Sequence, residues 1–293
     1  MGDFQTKELL SLGELENLAP IFRGKVGNAL ARGLMRMFSI DRINGIYARN
    51  CGLVGPDFAS AVLADAGIEY RVCCGGEVGD LSALIPQGPF ITISNHPCGH
   101  LDGISLVDIF GHLRPDYKVM VNRILSRIKP LEGNFITVTP TGNDRQPPTG
   151  ASVKGVKEAL CHLRDGGALG LFPSGAVSDL SLKDGCVRDR EWQESVVRLI
   201  MKAKVPVLPV RFFDGNSRFY YSLGLLDWRI RLLRLPAEVF NKKGSVMRIG
   251  IGPLISVEEQ QRFGKDVGTF RDFLRHSVYD MSPSCQTEHQ HIR

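Results

Sequence analysis

Two hydrophobic periods take turns along this chain. Residues 25–38 repeat every 3.6 positions: Val26, Leu30, Gly33, Leu34 and Met37 share one side while Lys25, Arg32 and Arg36 gather opposite, which predicts an amphipathic helix. Residues 57–66 predict a second helix, opened by Pro56 and closed by Gly67. Further helical patterns run over 101–112, 123–128, 152–164 (stopped by Gly166-Gly167), 191–203 and 257–279. Short apolar runs at 68–73, 89–93, 117–121, 134–138, 168–172, 205–211 and 247–251 have the length of strands. Strands alternating with helices of this size predict an α/β fold: a central, largely parallel or mixed sheet flanked by helices, with an N-terminal helical segment ahead of it.

Composition narrows the picture. The chain has 293 residues, 43% hydrophobic and 23% charged, an ordinary globular balance. No linker divides it and no internal repeat is present. One domain is therefore expected over 1–281. Its N-terminal helical part, 1–67, is a candidate for membrane contact, residues 68–281 form the α/β core, and the polar tail 282–293 is expected to be disordered. The seven cysteines are odd in number and scattered, and residues 1–15 mix charge with short apolar pieces, unlike a secretory leader. Reduced thiols in a cytosolic setting are the expectation. No run approaches the roughly 18–20 apolar residues that span a bilayer. The net charge of +5 is too small to name a partner and gives no reason to expect nucleic acid. Placement says more. The 25–38 helix suits a membrane surface, and so does the segment 228–235, where Trp228 and leucines mingle with Arg229, Arg231 and Arg234. The plain alternative for both is packing on the core.

The segment Ser94-Asn95-His96-Pro97-Cys98-Gly99-His100-Leu101-Asp102-Gly103 carries the sharpest chemical signal. It joins a strand to a helix. At such a junction Asp102 can orient the His96 imidazole and offset its charge while the other ring nitrogen takes a proton. A base of this kind needs no protein nucleophile when the substrate brings its own hydroxyl. The plain alternative is a strand-end histidine beside a helix-capping aspartate. A third reading makes His96, Cys98, His100 and Asp102 the zinc ligands of a hydrolase, although Pro97 and the glycines favour a turn and the spacing matches no common zinc pattern. Phe172-Pro173-Ser174-Gly175 follows another predicted strand, at the edge where α/β sheets place ligands. It is expected to join His96 and to offer backbone N–H groups or the Ser174 hydroxyl. Pro173 breaks the pattern of a nucleophile elbow at Ser174. Arg123, in a basic segment with Lys129, and Arg211, ending the 205–211 strand, are candidates to hold anionic parts of a substrate, as is Arg145 in a polar turn near Pro147-Pro148.

Asn95-His96…Asp102, Phe172-Pro173-Ser174-Gly175 and Val205-Pro206-Val207-Leu208-Pro209-Val210 stand in the order of three blocks of the glycerolipid acyltransferase family, which this chain resembles over about residues 90–210. Five residues separate His96 from Asp102 where that family has four, so the pair needs a wider turn to meet. Ser174 stands where the family has glutamate, and no arginine follows Gly133-Asn134-Phe135-Ile136. The longer spacing, and the run Phe213-Asp214-Gly215-Asn216-Ser217-Arg218, are closer to the family's hemolysin-like branch, with His100 in place of a glycine. The resemblance implies an enzyme of phospholipid synthesis, a peripheral O-acyltransferase at the cytoplasmic face of the inner membrane. It would move a fatty acyl group from acyl carrier protein or acyl-CoA to the hydroxyl of a lysolipid, either lysophosphatidic acid or the lyso-form of an amino-acid lipid. His96 and Asp102 would be catalytic; Arg123, Phe172, Pro173, Ser174, Gly175 and Arg211 would bind substrate. No metal or other cofactor is implied. A relative that kept the fold and membrane binding but lost activity is the remaining alternative.

Overall fold

A computed structural model describes residues 8–13, 16, 20–74, 81–139, 150–226, 228–283 and 288–289. Helices α1 (Gly24–Met37), α2 (Ile40–Asn50) and α3 (Gly55–Ala66) precede β1 (Glu69–Cys74). The chain then passes through β2 (Phe90–Ser94), α4 (His100–Leu113), β3 (Lys118–Asn122), β4 (Phe135–Val138), α5 (Gly150–Arg164) and β5 (Ala168–Leu171). A small hairpin, β6 (Asp179–Ser181) and β7 (Cys186–Arg188), leads to α6 (Glu194–Ala203) and β8 (Val207–Phe212). A helical pair, α7 (Arg218–Leu226) and α8 (Trp228–Asn241), returns to β9 (Val246–Ile251). Helices α9 (Val257–Gln261) and α10 (Val267–Tyr279) and strand β10 (Glu288–His289) complete the described chain.

The main sheet has the order β10-β1-β9-β8-β2-β5-β3-β4. Strands β8, β2, β5, β3 and β4 run parallel, whereas β9 is antiparallel to β8 and carries β1 with it. The sheet is mixed and largely parallel, and helices cover both faces. Side chains alternate between the two faces of the sheet with the two-residue period of a strand. Phe90 faces Phe58 of α3 and Leu106 and Phe110 of α4, while Ile91 and Ile93 face Leu163 of α5, Ile200 of α6 and Phe270 and Leu274 of α10. Strand β2 is buried at every position, as a central strand covered twice must be. Its end is fixed by Asn95, whose Nδ2 donates to Phe212 O and whose Oδ1 accepts from Phe212 N, each at 2.8 Å. This side chain imitates one more rung of the β2–β8 ladder and sets where the chain leaves the sheet.

Several expectations need correction. The 257–279 helix is two helices, separated where Gly264 takes φ +54°. The 191–203 helix starts at Glu194, because Gln193 N donates instead to Pro173 O at 2.9 Å. The 123–128 helix is a 3₁₀ segment, Arg123–Arg127. Segment 228–235 is helical, so neighbours along it do not share a face, and Arg231 and Leu235 are buried rather than offered to a membrane. Glu288–His289 form a strand against Val72 and Cys73, so the expected disordered tail is ordered there; residues 284–287 and 290–293 lie outside the described residues, as do Arg145 and Pro147-Pro148. Cys73 is disulfide-bonded, which overturns the expectation of uniformly reduced thiols; Cys51, Cys74, Cys98, Cys161 and Cys186 are free. No helix among the described residues is long and apolar enough to cross a membrane.

Two peripheral helices are held in different ways. Helix α1 turns Gly27, Ala31 and Met35 inward, since Gly27 lies where a Cβ would come within 2.5 Å of Ile21 O. The stripe of Val26, Leu30 and Met37 is left exposed. Helix α8 is tied to the β6–β7 hairpin by the buried Arg231, which donates to Ser178 O at 3.0 Å and Val177 O at 3.3 Å and pairs with Asp179. Replacing Arg231 with Ala leaves these acceptors unpaired and should lower unfolding stability by about 2–3 kcal/mol, read as a lower urea midpoint.

Candidate active site

Strand β2 delivers His96 to the sheet's edge, and a turn at residues 97–99 precedes α4. Gly99 permits that turn: its φ is +71°, and a Cβ there would stand 2.9 Å from Leu235 Cδ2. The extra residue between His96 and Asp102 is absorbed in this bend. Asp102, in the first turn of α4, reaches back so that its Oδ2 accepts from Cys98 N at 2.8 Å and Gly99 N at 2.9 Å. The same oxygen lies 3.0 Å from His96 Nδ1. That contact is short, but its angle is not that of a straight hydrogen bond, and Asp102 Oδ1 has no partner. The Asp102 side chain is fully buried while the His96 side chain is 18% exposed, so the carboxylate is dry and the imidazole reachable.

The other predicted residues divide. Phe172 packs on the imidazole with ring centroids 4.0 Å apart. Ser174 is buried, and its hydroxyl donates to Ala176 O at 2.7 Å within its own turn. Gly175 takes φ +65°, and a Cβ there would collide with the Gln193 amide, which donates to Ser174 O. Pro173 contributes its carbonyl to Gln193 N. The loop is thus shaped by its own bonds and presents Phe172 to His96. Arg123 is exposed just beyond β3, which lies two strands from β2 in the sheet. Arg211 corrects the expectation that it meets substrate: its guanidinium donates to Tyr279 O and to Met281 O, capping the end of α10 between the rings of Phe213 and Tyr279. The zinc reading is corrected too. Cys98 turns its Sγ to Asp214 O at 3.3 Å, burial pushes its thiol well up, and no three metal-binding side chains converge among the described residues. Two cavities, of about 280 and about 310 Å³, open elsewhere, beside Arg42 and Arg49 and beside Asn216 and Lys242.

Residues without a sequence signal complete the surroundings. Tyr221 of α7 donates its hydroxyl to Pro97 O at 2.9 Å, and Asp189, beyond β7, accepts from His96 N at 3.1 Å. Both are remote in the chain and belong to no motif. His100, the first residue of α4, is hemmed in by protein yet still touches solvent. Burial, and secondarily the charge of His96, push it down to about 4, so it is neutral near pH 7. A neutral ring beside His96 adds no second positive charge when His96 takes a proton.

A family model described as Acyltransferase matches residues 15–287. A lyso-glycine lipid O-acyltransferase of Bacteroides thetaiotaomicron is 24% identical over 257 residues, covering 85% of this chain and 88% of the relative. A second protein of that name, from Phocaeicola vulgatus, is 25% identical over 251 residues, covering 82% and 83%. Among solved structures, the 1-acyl-sn-glycerophosphate acyltransferase PlsC of Thermotoga maritima aligns with a TM-score of 0.48 and 15% identity over 86% of each chain.

The lowered His100 value makes acid stability testable. Unfolded His100 gains a proton near its ordinary 6.5, whereas folded His100 stays neutral until about 4. Stability should therefore fall as pH drops from 6.5 to 4, by at most about 3 kcal/mol from this group. The melting temperature of wild type should drop more between pH 7.5 and 5.0 than that of His100→Gln. Equal drops would remove His100 as the cause.

Proposed function

The chain belongs to the acyltransferase family, and from that premise we propose that it carries an acyl group from a thioester, acyl carrier protein or CoA, to the hydroxyl of a lysolipid. The observation that carries this reading is the accessible His96 imidazole backed at 3.0 Å by the dry carboxylate of Asp102. The lyso-form of an amino-acid lipid is favoured as acceptor over lysophosphatidic acid. The two relatives, matched over 88% and 83% of their lengths, are named for a lyso-glycine lipid, and Ser174 departs from the family's usual glutamate.

Each step uses groups already described. Asp102 holds the proton on Nδ1, leaving Nε2 to accept the acceptor's hydroxyl proton as the oxygen attacks the thioester carbonyl. A new C–O bond forms, a tetrahedral intermediate collapses with loss of the C–S bond, and the departing sulfur takes the proton back from Nε2. The imidazolium that exists in between is stabilised by Asp102 and undisturbed by neutral His100. Phe172, stacked on the ring, keeps water from one of its faces and so favours transfer over hydrolysis. This chemistry calls for no metal or other cofactor.

The acceptor is a membrane lipid, and α1 supports peripheral attachment to a membrane surface; the cytoplasmic face of the inner membrane is what the family resemblance implies. The exposed Val26, Leu30 and Met37 of α1 lie about 120° around the helix from Lys25, Arg32 and Arg36, which suits an interface with anionic head groups.

Replacing His96 with Ala should lower transfer at least about 100-fold while the circular dichroism spectrum and melting temperature hold; near-normal turnover would sink the base assignment. Val26→Asp combined with Met37→Asp should weaken binding to vesicles containing phosphatidylglycerol about tenfold in a sedimentation assay. Unchanged binding would move the attachment away from α1.

A further inference from the structure

His96 is held by its main chain as well as by its ring. Its N–H donates to Asp189 Oδ1 at 3.1 Å, and its carbonyl accepts from Ser178 N at 2.9 Å. Ser178 Oγ donates to the same Asp189 Oδ1 at 2.5 Å, which closes a ring of three hydrogen bonds through His96, Asp189 and Ser178. The other oxygen, Oδ2, accepts from Trp192 Nε1 at 3.1 Å. Asp189 is itself fixed from behind: its N–H donates to Tyr279 Oη at 2.9 Å and its carbonyl accepts from Arg275 at 3.1 Å, both on α10. Asp189, Ser178 and Trp192 are all buried, with Asp189 5% exposed. A carboxylate is costly to bury, and a surface turn needs none.

We infer that Asp189 is a positioning residue for the transfer reaction: it fixes the His96 peptide so that the imidazole meets Asp102 and the acceptor hydroxyl in one orientation. The inference rests on the proposed role of His96 as base and adds a second carboxylate that acts on the main chain, where Asp102 acts on the ring. Burial pushes the Asp189 carboxyl up while its three donors pull it down, so the site depends on those donors being present. A shift of the reacting nitrogen by about 1 Å is enough to cost on the order of 100-fold in rate.

The test compares full-length variants in the acyl-transfer assay, with His96→Ala alongside. Asp189→Ala should lower kcat about 10–100-fold with KM for donor and acceptor within about twofold, since neither substrate touches it. Asp189→Asn keeps the Oδ1 acceptor but sets an amide N–H against Trp192 Nε1. Adding Trp192→Phe removes that clash, so the double variant should recover kcat to within about threefold of Trp192→Phe alone. A double variant as slow as Asp189→Ala, while folded, overturns the inference, and so does a kcat loss matched by an equal loss of folded protein. Should Asp189→Ala fail to fold, the double variant still decides. A second readout needs no substrate. In ¹H–¹⁵N spectra of histidine-labelled protein, the His96 ring signals should move in Asp189→Ala while those of His112 stay in place; unmoved His96 signals overturn the inference. If His96→Ala transfers acyl groups normally, the base reading fails, and the spectra judge Asp189 separately.

Discussion

One oxygen atom organises the site. Asp102 Oδ2 receives two main-chain amides from the turn ahead of α4 and the approach of the His96 ring. A carboxylate with no solvent contact is tolerable only where donors replace the water it has lost, and here the chain's own bend supplies them. The helix start adds favourable field at the same point. Fold and chemistry therefore rest on the same contact: the bonds that let the turn form also place a negative charge behind the imidazole.

The rest of the structure holds that turn from outside. Leu235 fills the space a side chain at residue 99 would take, and Tyr221 grips the Pro97 carbonyl. Arg231 connects α8 to the carbonyls of Val177 and Ser178, and Ser178 bonds in turn to the His96 carbonyl. His96 Nδ1, Asp102 Oδ1, Ser94 Oγ and Ser105 Oγ, on the strand end and helix start that flank the turn, are buried without hydrogen-bond partners. Such unmade bonds are typical of places where function outweighs stability.

What could be read in advance follows from the range of the forces involved. Strands β2, β5 and β8 and helices α4 and α5 are set by local periodicity and by covering on both faces, and they were legible. The meeting of His96 and Asp102 was legible because both residues lie within a few neighbouring positions of one turn. Asp189 and Tyr221 reach His96 and Pro97 from 93 and 124 residues away, so no window of sequence contains the reason for either. Arg211 misled for a related reason: its register on β8 brought it to the correct edge, but the open carbonyls at the end of α10 drew its guanidinium away. At residues 228–235 the mix suited to an interface is divided by the helix it sits on: Arg231 and Leu235 turn inward while Leu232 and Leu233 stay exposed.

The clasp of Leu235 on Gly99 bears on how the protein is made. During synthesis the segment carrying His96 and Asp102 leaves the ribosome long before Leu235, and longer still before Tyr279, whose hydroxyl anchors Asp189. Central strand β2 must likewise wait for β8, since Ile91 pairs with Val207. Contacts so distant in sequence close late. A nascent chain therefore holds His96 and Asp102 without the contacts that fix their turn, which close only once Leu235 and Tyr279 have emerged.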